Sequence, residues 1–381
     1  MVRAVRVCRT PALGGHRLSC PDCAETWYRY FSCGHSYCPL CQGSKREAWY
    51  ERLRGKLLEV PYCHITFTVP HELNGICRLH PKQMYTILFH SAWRSLRDLC
   101  GEDNRVGGLP GMTAVLHTWG SDLKQHVHIH CLVTYGGLDE KSGEWRWPHC
   151  KNKLLRHRPL RSLYKKYFLE ALETWMTAPD SDCTYHESYA VLTADLLTKT
   201  WVVNQQPPTA DPEVIGSYLS RYISRVGISD NRVAYDAASG QVQLEFKDYR
   251  KQEAGQAAPL SYRNLPPLVA MVSILRHVLP AYFQRSRHYG LHAHSTYQRV
   301  KDSIPLAVRR SDGGIRLLFL LLKHMLQIKV TACDSCGSLR PAIRDLVYPD
   351  SNYIKALTNL RPRSPPAVLP KVAGGANTKV A

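Results

Sequence analysis

One short run constrains this chain more than any other: Gln125-His126-Val127-His128-Ile129-His130-Cys131-Leu132-Val133. Apolar and polar residues alternate over the length of one strand, the period-two signature of a half-buried β-strand. The three histidines therefore share a face. At about 3.3 Å rise per residue, imidazoles at i and i+2 stand roughly 6.5 Å apart, and those at i and i+4 roughly 13 Å. Only adjacent pairs, His126/His128 or His128/His130, can then grip one metal ion. A single histidine on such a strand is an ordinary polar-face residue; three at spacing two point to a metal.

A second stretch gives the first a chemical meaning. Asp211-Pro212-Glu213 places an acidic residue and a proline where helix entries prefer them, and Ser217-Tyr218-Leu219-Ser220-Arg221-Tyr222-Ile223-Ser224-Arg225 follows. On a helix, Tyr218 and Tyr222 fall at i and i+4 and point the same way, about 5–6 Å apart at Cβ. By themselves two such tyrosines describe an amphipathic face. Downstream of a His-x-His strand they describe phosphodiester chemistry, because a histidine-held divalent cation polarises the phosphate while a tyrosine hydroxyl attacks it.

Further segments extend the pattern. They are Cys8-Arg9-Thr10-Pro11-Ala12-Leu13-Gly14-Gly15-His16, Cys38-Pro39-Leu40-Cys41-Gln42, Phe67-Thr68-Val69-Pro70-His71-Glu72-Leu73, Leu116-His117-Thr118-Trp119-Gly120, Trp201-Val202-Val203 and Arg287-His288-Tyr289-Gly290-Leu291. In this order they resemble the two-tyrosine, His-hydrophobe-His rolling-circle transposases of the insertion-sequence ninety-one type, with an N-terminal zinc-binding domain. The resemblance runs from Cys8 to about Pro305. It assigns the metal motif to His128 and His130, with His126 a neighbour that could add to the site. It implies an α+β fold: the central antiparallel, palm-like sheet of His-hydrophobe-His endonucleases, with a zinc module before it and a helical region after it.

Lys plus Arg number 50 against 31 Asp plus Glu, a formal net charge of +19. Such an excess favours a polyanionic partner, most commonly nucleic acid. No run is long and apolar enough for a membrane span, and the N-terminus has no signal-peptide pattern. The expected location is therefore cytoplasmic, in a bacterium and on the nucleoid when DNA is bound. In a reducing compartment the 14 cysteines argue for metal where they cluster and for burial where they do not. Cys63, Cys77, Cys100, Cys131, Cys150 and Cys183 are scattered singly and read as core.

In chain order, residues 1–57 form a zinc-binding, DNA-contacting module. Cys20-Pro21-Asp22-Cys23 and Cys38-Pro39-Leu40-Cys41 are two Cys-x-x-Cys knuckles with fourteen residues between them, close to four-cysteine zinc spacing. Cys8, His16, Cys33 and His35 are candidates for a second zinc. A charged helix from about Lys45 to Leu58 links this module to a catalytic domain over 58–255. That domain reads as a strand over 61–69, a helix over 81–99, a strand over 112–119, a turn at 120–122 and the histidine strand. Lys151 to Lys166 carry seven Lys/Arg and no acidic residue, a pattern suited to phosphate contact. Trp201 to Gln205 read as a short strand, and 232–246 as a hairpin.

Residues 256–330 read as a basic helical DNA-binding region, with helix over about 265–284 and again over 315–328. Arg221, Arg225, Arg285, Arg287 and His288 are the candidate DNA contacts. Residues 331–360 form an extension in which Cys333-Asp334-Ser335-Cys336 supplies two thiols, enough for metal only if other ligands come near. Residues 361–381 read as a disordered tail.

The mechanism that the resemblance implies is nicking and rejoining of single-stranded DNA, at transposon ends and target, through a 5′-phosphotyrosine. His128 and His130 would hold Mg²⁺ or Mn²⁺, a third ligand being left open by the sequence, and Zn²⁺ would be structural. Two other classes fit parts of the pattern. A replication initiator or relaxase-like nickase uses the same chemistry at an origin. A non-catalytic zinc-binding DNA regulator explains the charge and the knuckles, but not His128/His130 together with Tyr218/Tyr222.

Overall fold

The computed structural model describes residues 2–35, 38–41, 49–179, 189–211, 214, 216, 219, 232–253, 256–310, 333, 335–337 and 342–347. The chain forms two compact units, residues 1–41 with 318–381, and residues 42–317. The expected helix over 315–328, Cys183 and the tail over 361–381 lie outside the described residues.

The smaller unit is built on a hairpin. After a short helix, α1 (Val2–Arg6), come β1 (Gly15–Ser19) and β2 (Thr26–Tyr30), paired antiparallel from Gly15 opposite Tyr30 to Ser19 opposite Thr26. Gly15 is there for clearance, since a Cβ would lie 2.3 Å from the Arg29 carbonyl oxygen. The other edge of β1 is taken by a strand far along the chain, Ala342–Val347, with His16 opposite Leu346. Within the expected extension over 331–360, Ala342–Val347 thus shares a sheet with β1. Among the described residues most of the buried side chains here are cysteines, Cys8, Cys20, Cys38, Cys41 and Cys333, beside Val7 and Leu18.

In the larger unit the elements run, in chain order, α2 (Asn74–Leu79) and α3 (Pro81–Gly101) after β3 (Tyr62–Thr68), then β4 (Gly111–Trp119), β5 (Gln125–Thr134), β6 (Gly137–Leu138) and β7 (Trp145–Arg146). They continue with α4 (His157–Met176), α5 (Tyr189–Thr198), β8 (Val203–Gln205), β9 (Val233–Asp236), β10 (Gln241–Lys247), β11 (Leu260–Leu265), α6 (Pro267–Leu275), β12 (Ser286–Gly290) and α7 (His294–Val300). The central sheet has the order β12-β4-β5-β3-β8 and is antiparallel throughout. The architecture is therefore α+β with a five-stranded antiparallel core.

Alternation decides what each face does. Cys63, Ile65 and Phe67 of β3, Met112, Ala114 and Leu116 of β4, and Val127, Ile129, Cys131 and Val133 of β5 form one buried face. Two helices cover it. On α4 the apolar residues Leu160, Tyr164, Phe168, Leu172 and Met176 recur every fourth position, and α3 offers Met84, Leu88, Phe89, Ala92 and Leu96. Trp201 locks this layer, its ring 5.4 Å from that of Tyr164 and 5.1 Å from that of Phe168. β8 is fastened by the buried Gln205 side chain, whose Oε1 accepts from the Leu154 and Leu155 amides while Nε2 donates to the Leu155 carbonyl.

The opposite face begins with Tyr62, Val115 and Leu132, which join a second cluster containing Trp49, Leu53, Leu57, Leu58, Leu219, Leu291 and Ile304. Residues 49–58, expected as a linking helix, are therefore core-forming; helix persists only to residue 54 among the described residues. The hairpin expected over 232–246 is present and gains a third strand, β11. The helix expected over 265–284 is confined to α6. The stretch with Arg287 and His288 is a strand, because Tyr289 and Arg287 alternate with His288 at the sheet edge beside β4.

Replacing Trp201 with Ala removes the largest fully buried side chain and is expected to destabilise the larger unit by about 3–5 kcal/mol. Denaturant titration checks this, and a loss under about 1 kcal/mol would contradict the packing described.

Candidate metal centres

The β4–β5 register places His117 directly opposite His128. His130, two residues on, shares their face, with Thr66 of β3 across from it. His117 Nδ1 lies 2.9 Å from His128 Nε2, which lies 3.1 Å from His130 Nε2. The rings thus lean together well inside the backbone spacing of about 6.5 Å. All three side chains are buried, at 7–8% exposure.

Their surroundings fix the direction of their lone pairs. His128 Nδ1 is 2.9 Å from the His126 carbonyl oxygen; a carbonyl only accepts, so this nitrogen carries the proton and Nε2 turns its lone pair inward. His130 Nδ1 is engaged from behind by His64 Nε2 at 3.0 Å and Thr66 Oγ1 at 3.3 Å, leaving Nε2 facing the same point. Burial is the main reason that the His128 pKa falls to about 3 and those of His117 and His130 well below 6.5, with neighbouring imidazoles adding to it. Neutral imidazoles converging on one point fit a divalent cation, and outer partners such as His64 orient such ligands.

His117 stands with His128 and His130 in a group that could hold a metal ion, where the sequence left a third ligand open. It lay in a stretch already singled out, and its role follows once the hairpin is folded about the turn between β4 and β5. His64 had no such signal. His126 contributes its carbonyl; its ring is exposed and lies outside the group of three. The intervening turn is held from outside: Arg232 Nη2 donates to the Ser121 carbonyl, Arg263 Nη1 to the Asp122 carbonyl and His277 Nε2 to the Leu123 carbonyl.

Tyr218, Tyr222, Arg221 and Arg225 lie outside the described residues. Leu219 between the tyrosines is fully buried in the cluster on the histidine-bearing face, and a Cβ on Gly216 would meet the Tyr50 ring at 3.0 Å.

The remaining DNA-contact candidates separate. Arg285 sits over the Trp119 ring. Arg287 donates to Thr86 Oγ1 and lies over the Phe89 ring at 4.7 Å. His288 Nδ1 is 2.9 Å from Thr113 Oγ1, which also meets His292 Nδ1 at 2.9 Å, and His292 Nε2 reaches Tyr62 Oη at 3.2 Å. Arg287 and His288 line an open cavity of about 450 Å³ with Lys56, His90 and His294. Burial, then Lys56 and Arg310, lower the His288 pKa to about 4, so it offers hydrogen bonds there rather than charge.

The cysteines sort differently from the expectation. Cys20, Cys23, Cys38 and Cys41 do not form one site: Cys38 and Cys41 group with Cys8 and Cys33, while Cys20 and Cys23 group with Cys333 and Cys336. The reason lies in the hairpin, which carries Cys20 and Cys23 to the end of β1 opposite Ala342–Val347. The second set expected from Cys8, His16, Cys33 and His35 keeps only its cysteines. The His16 ring packs edge-on against Phe31, and His35 gives its backbone amide to the Cys33 sulfur.

Residues 1–69 match a family model described as "Transposase zinc-binding domain", and residues 111–299 match one described as "Putative transposase". A protein of Sinorhizobium fredii (strain NBRC 101917 / NGR234) named "Putative transposase y4qJ" is 35% identical over 298 residues, 76% of this chain and 73% of the relative. "Transposase for insertion sequence element IS801" of Pseudomonas savastanoi pv. phaseolicola is 24% identical over 351 residues, 88% of this chain and 81% of that one. No solved structure matches significantly. A zinc-binding module joined to a catalytic-type α+β domain of this kind is that of a DNA-processing enzyme. The chain belongs to the transposases of the insertion-sequence ninety-one type, with an N-terminal zinc-binding domain containing a four-cysteine site. No helix among the described residues is long and apolar enough to cross a membrane.

The pH dependence of folding follows from the buried imidazoles. His288 binds its proton at about 4 when folded and near 6.5 when unfolded, so the unfolded chain takes up the proton first as pH falls. Stability is then full above about pH 6.5 and declines towards pH 4, by on the order of 1–3 kcal/mol for such a group. Thermal unfolding of metal-free protein across this range should show a falling midpoint, with His288→Asn flattening part of the slope; a flat wild-type profile would sink the assignment.

Proposed function

We propose that the protein nicks and rejoins single-stranded DNA at transposon ends and target by transesterification, as in rolling-circle transposition. The observation that carries this reading is the convergence of His117, His128 and His130 on the sheet face where Leu219, between Tyr218 and Tyr222 in the chain, is buried. Mg²⁺ or Mn²⁺ held by the three imidazoles would supply polarisation of the non-bridging phosphate oxygens. The rest is done by side chains. His64 and Thr66 hold His130, and the His126 carbonyl holds His128 in its ligating tautomer.

The phenolic oxygen of Tyr218 or Tyr222 gives up its proton to solvent and attacks phosphorus. The bond from phosphorus to the 3′ oxygen breaks, and that oxygen takes up a proton, giving a 5′-phosphotyrosine and a free 3′-hydroxyl. No phosphoester bond is lost, so a 3′-hydroxyl reverses the step, and the second tyrosine permits a second cut before the first is sealed. A phenol has a pKa near 10, so the attacking hydroxyl needs activation at neutral pH, which a cation held by His117, His128 and His130 would supply. Arg221, Arg225, Arg285 and Arg287 provide phosphate contacts, with His288 as a neutral hydrogen-bonding partner. Cys8, Cys33, Cys38 and Cys41 hold a structural zinc in the DNA-contacting module, and the protein acts in the bacterial cytoplasm, nucleoid-associated when on DNA.

Labelled single strands from the flanks of the encoding element, with Mn²⁺, are expected to become covalently attached to the peptide containing Tyr218 and Tyr222. Tyr218→Phe or Tyr222→Phe should leave one attachment and block complete strand exchange; the double change should abolish the adduct. Attachment elsewhere, or exchange by the double variant, refutes the mechanism. His117→Ala should lower cleavage about 100-fold or more, as His128→Ala and His130→Ala do, while His126→Ala keeps its carbonyl and stays within about tenfold. Equal losses at His117 and His126 would overturn the ligand set.

A further inference from the structure

The two ends of the chain meet at a second group of four thiols. Cys20 Sγ lies 3.5 Å from Cys336 Sγ and Cys23 Sγ lies 3.5 Å from Cys333 Sγ, across 316 and 310 residues of sequence. Sulfurs bound to one zinc at about 2.3 Å in a tetrahedron are about 3.8 Å apart, whereas a disulfide requires about 2.05 Å. The spacing is that of ligands, and all four cysteines are free thiols.

A second observation points the same way. In the first knuckle the Ala24 amide donates to the Cys20 carbonyl at 3.0 Å, and in the last the Gly337 amide donates to the Cys333 carbonyl at 2.8 Å. The residue after each second cysteine adopts positive φ, +62° at Ala24 and +72° at Gly337. A side chain at such a φ carries strain, and Ala24 bears it in order to repeat the turn that Gly337 makes freely. Two knuckles of one geometry face each other. Both lie at the same end of the ladder in which Ser19 is opposite Ala342.

We propose that Cys20, Cys23, Cys333 and Cys336 bind a second Zn²⁺ that clasps the C-terminal extension to the N-terminal module. Two of its ligands lie beyond the residues that match the zinc-binding family model. It is separate from the Cys8/Cys33/Cys38/Cys41 site, with which it shares no residue. An ion bound by all four would turn binding energy into folding energy in a unit where, among the described residues, most of the buried side chains are cysteines.

The test uses purified full-length protein loaded with zinc. In a His128→Ala/His130→Ala background, which removes the imidazole site, elemental analysis should give two zinc ions per chain, and one when Cys333→Ser/Cys336→Ser is added. Alkylation mapped by mass spectrometry should find Cys333 and Cys336 protected in the wild type and reactive in Cys20→Ser/Cys23→Ser, with Cys8, Cys33, Cys38 and Cys41 still protected. That cross-end effect distinguishes a shared ion from two independent pairs. Cys336→His, which keeps a ligand, should retain two metals in that background and alter the visible spectrum of the Co²⁺-substituted protein. One zinc per His128→Ala/His130→Ala chain, protection of Cys333 and Cys336 that survives loss of Cys20 and Cys23, or an unchanged Co²⁺ spectrum for Cys336→His would each overturn the proposal.

Discussion

The larger unit depends on the register between β4 and β5. Side chains on a strand alternate with period two, so a slip of one residue would turn His128 and His130 into the helix-covered core and bring Val127 and Ile129 out. The face that packs on α3 and α4 therefore fixes the site on the other face: burying Val127, Ile129 and Cys131 leaves the three imidazoles nowhere else to go. The turn is pinned as well, through carbonyls of Ser121, Asp122 and Leu123 held by Arg232, Arg263 and His277. Arg263 of β11 and Arg232, next to β9, thus tie the small sheet to the turn that joins the two histidine-bearing strands.

Positive side chains near the three imidazoles would oppose a bound cation, and among the described residues the side chains that hold His130 from behind are neutral: His64 at 3.0 Å and Thr66 at 3.3 Å. Of the basic residues, Arg285 over the Trp119 ring is close enough to help lower the His117 pKa, while Arg287 lies over Phe89 and Lys56 at the rim of the cavity beside His288.

Where the sequence carried a period, it was legible. The histidine strand, its neighbours at 62–68 and 111–119, the helix from Pro81 and the hairpin before residue 247 all emerge as read, because alternation and helical spacing are local signals. What could not be read locally were pairings. His117 as partner of His128 depends on hairpin register. The division of eight cysteines into two sets depends on a strand that arrives more than 300 residues after β1. Cys-x-x-Cys spacing identifies a knuckle but not its mate, and the nearest knuckle in sequence was the wrong one. Residues 49–58 misled for another reason: their charges read as a solvated link, while Trp49, Leu53, Leu57 and Leu58 recur closely enough to face a core.

The edge of β1 occupied by Ala342–Val347 imposes an order of events on synthesis. A ribosome adds about 5–20 residues per second, so every residue of the larger unit, 42–317, is made before that strand exists. During this interval β1 and β2 form a two-stranded ribbon with an unpaired edge, the kind of exposed ladder that invites pairing with another chain. The segment with the earliest residues is thus the last to be finished, and a message truncated near its end would yield a complete larger unit carrying an open-edged N-terminal hairpin.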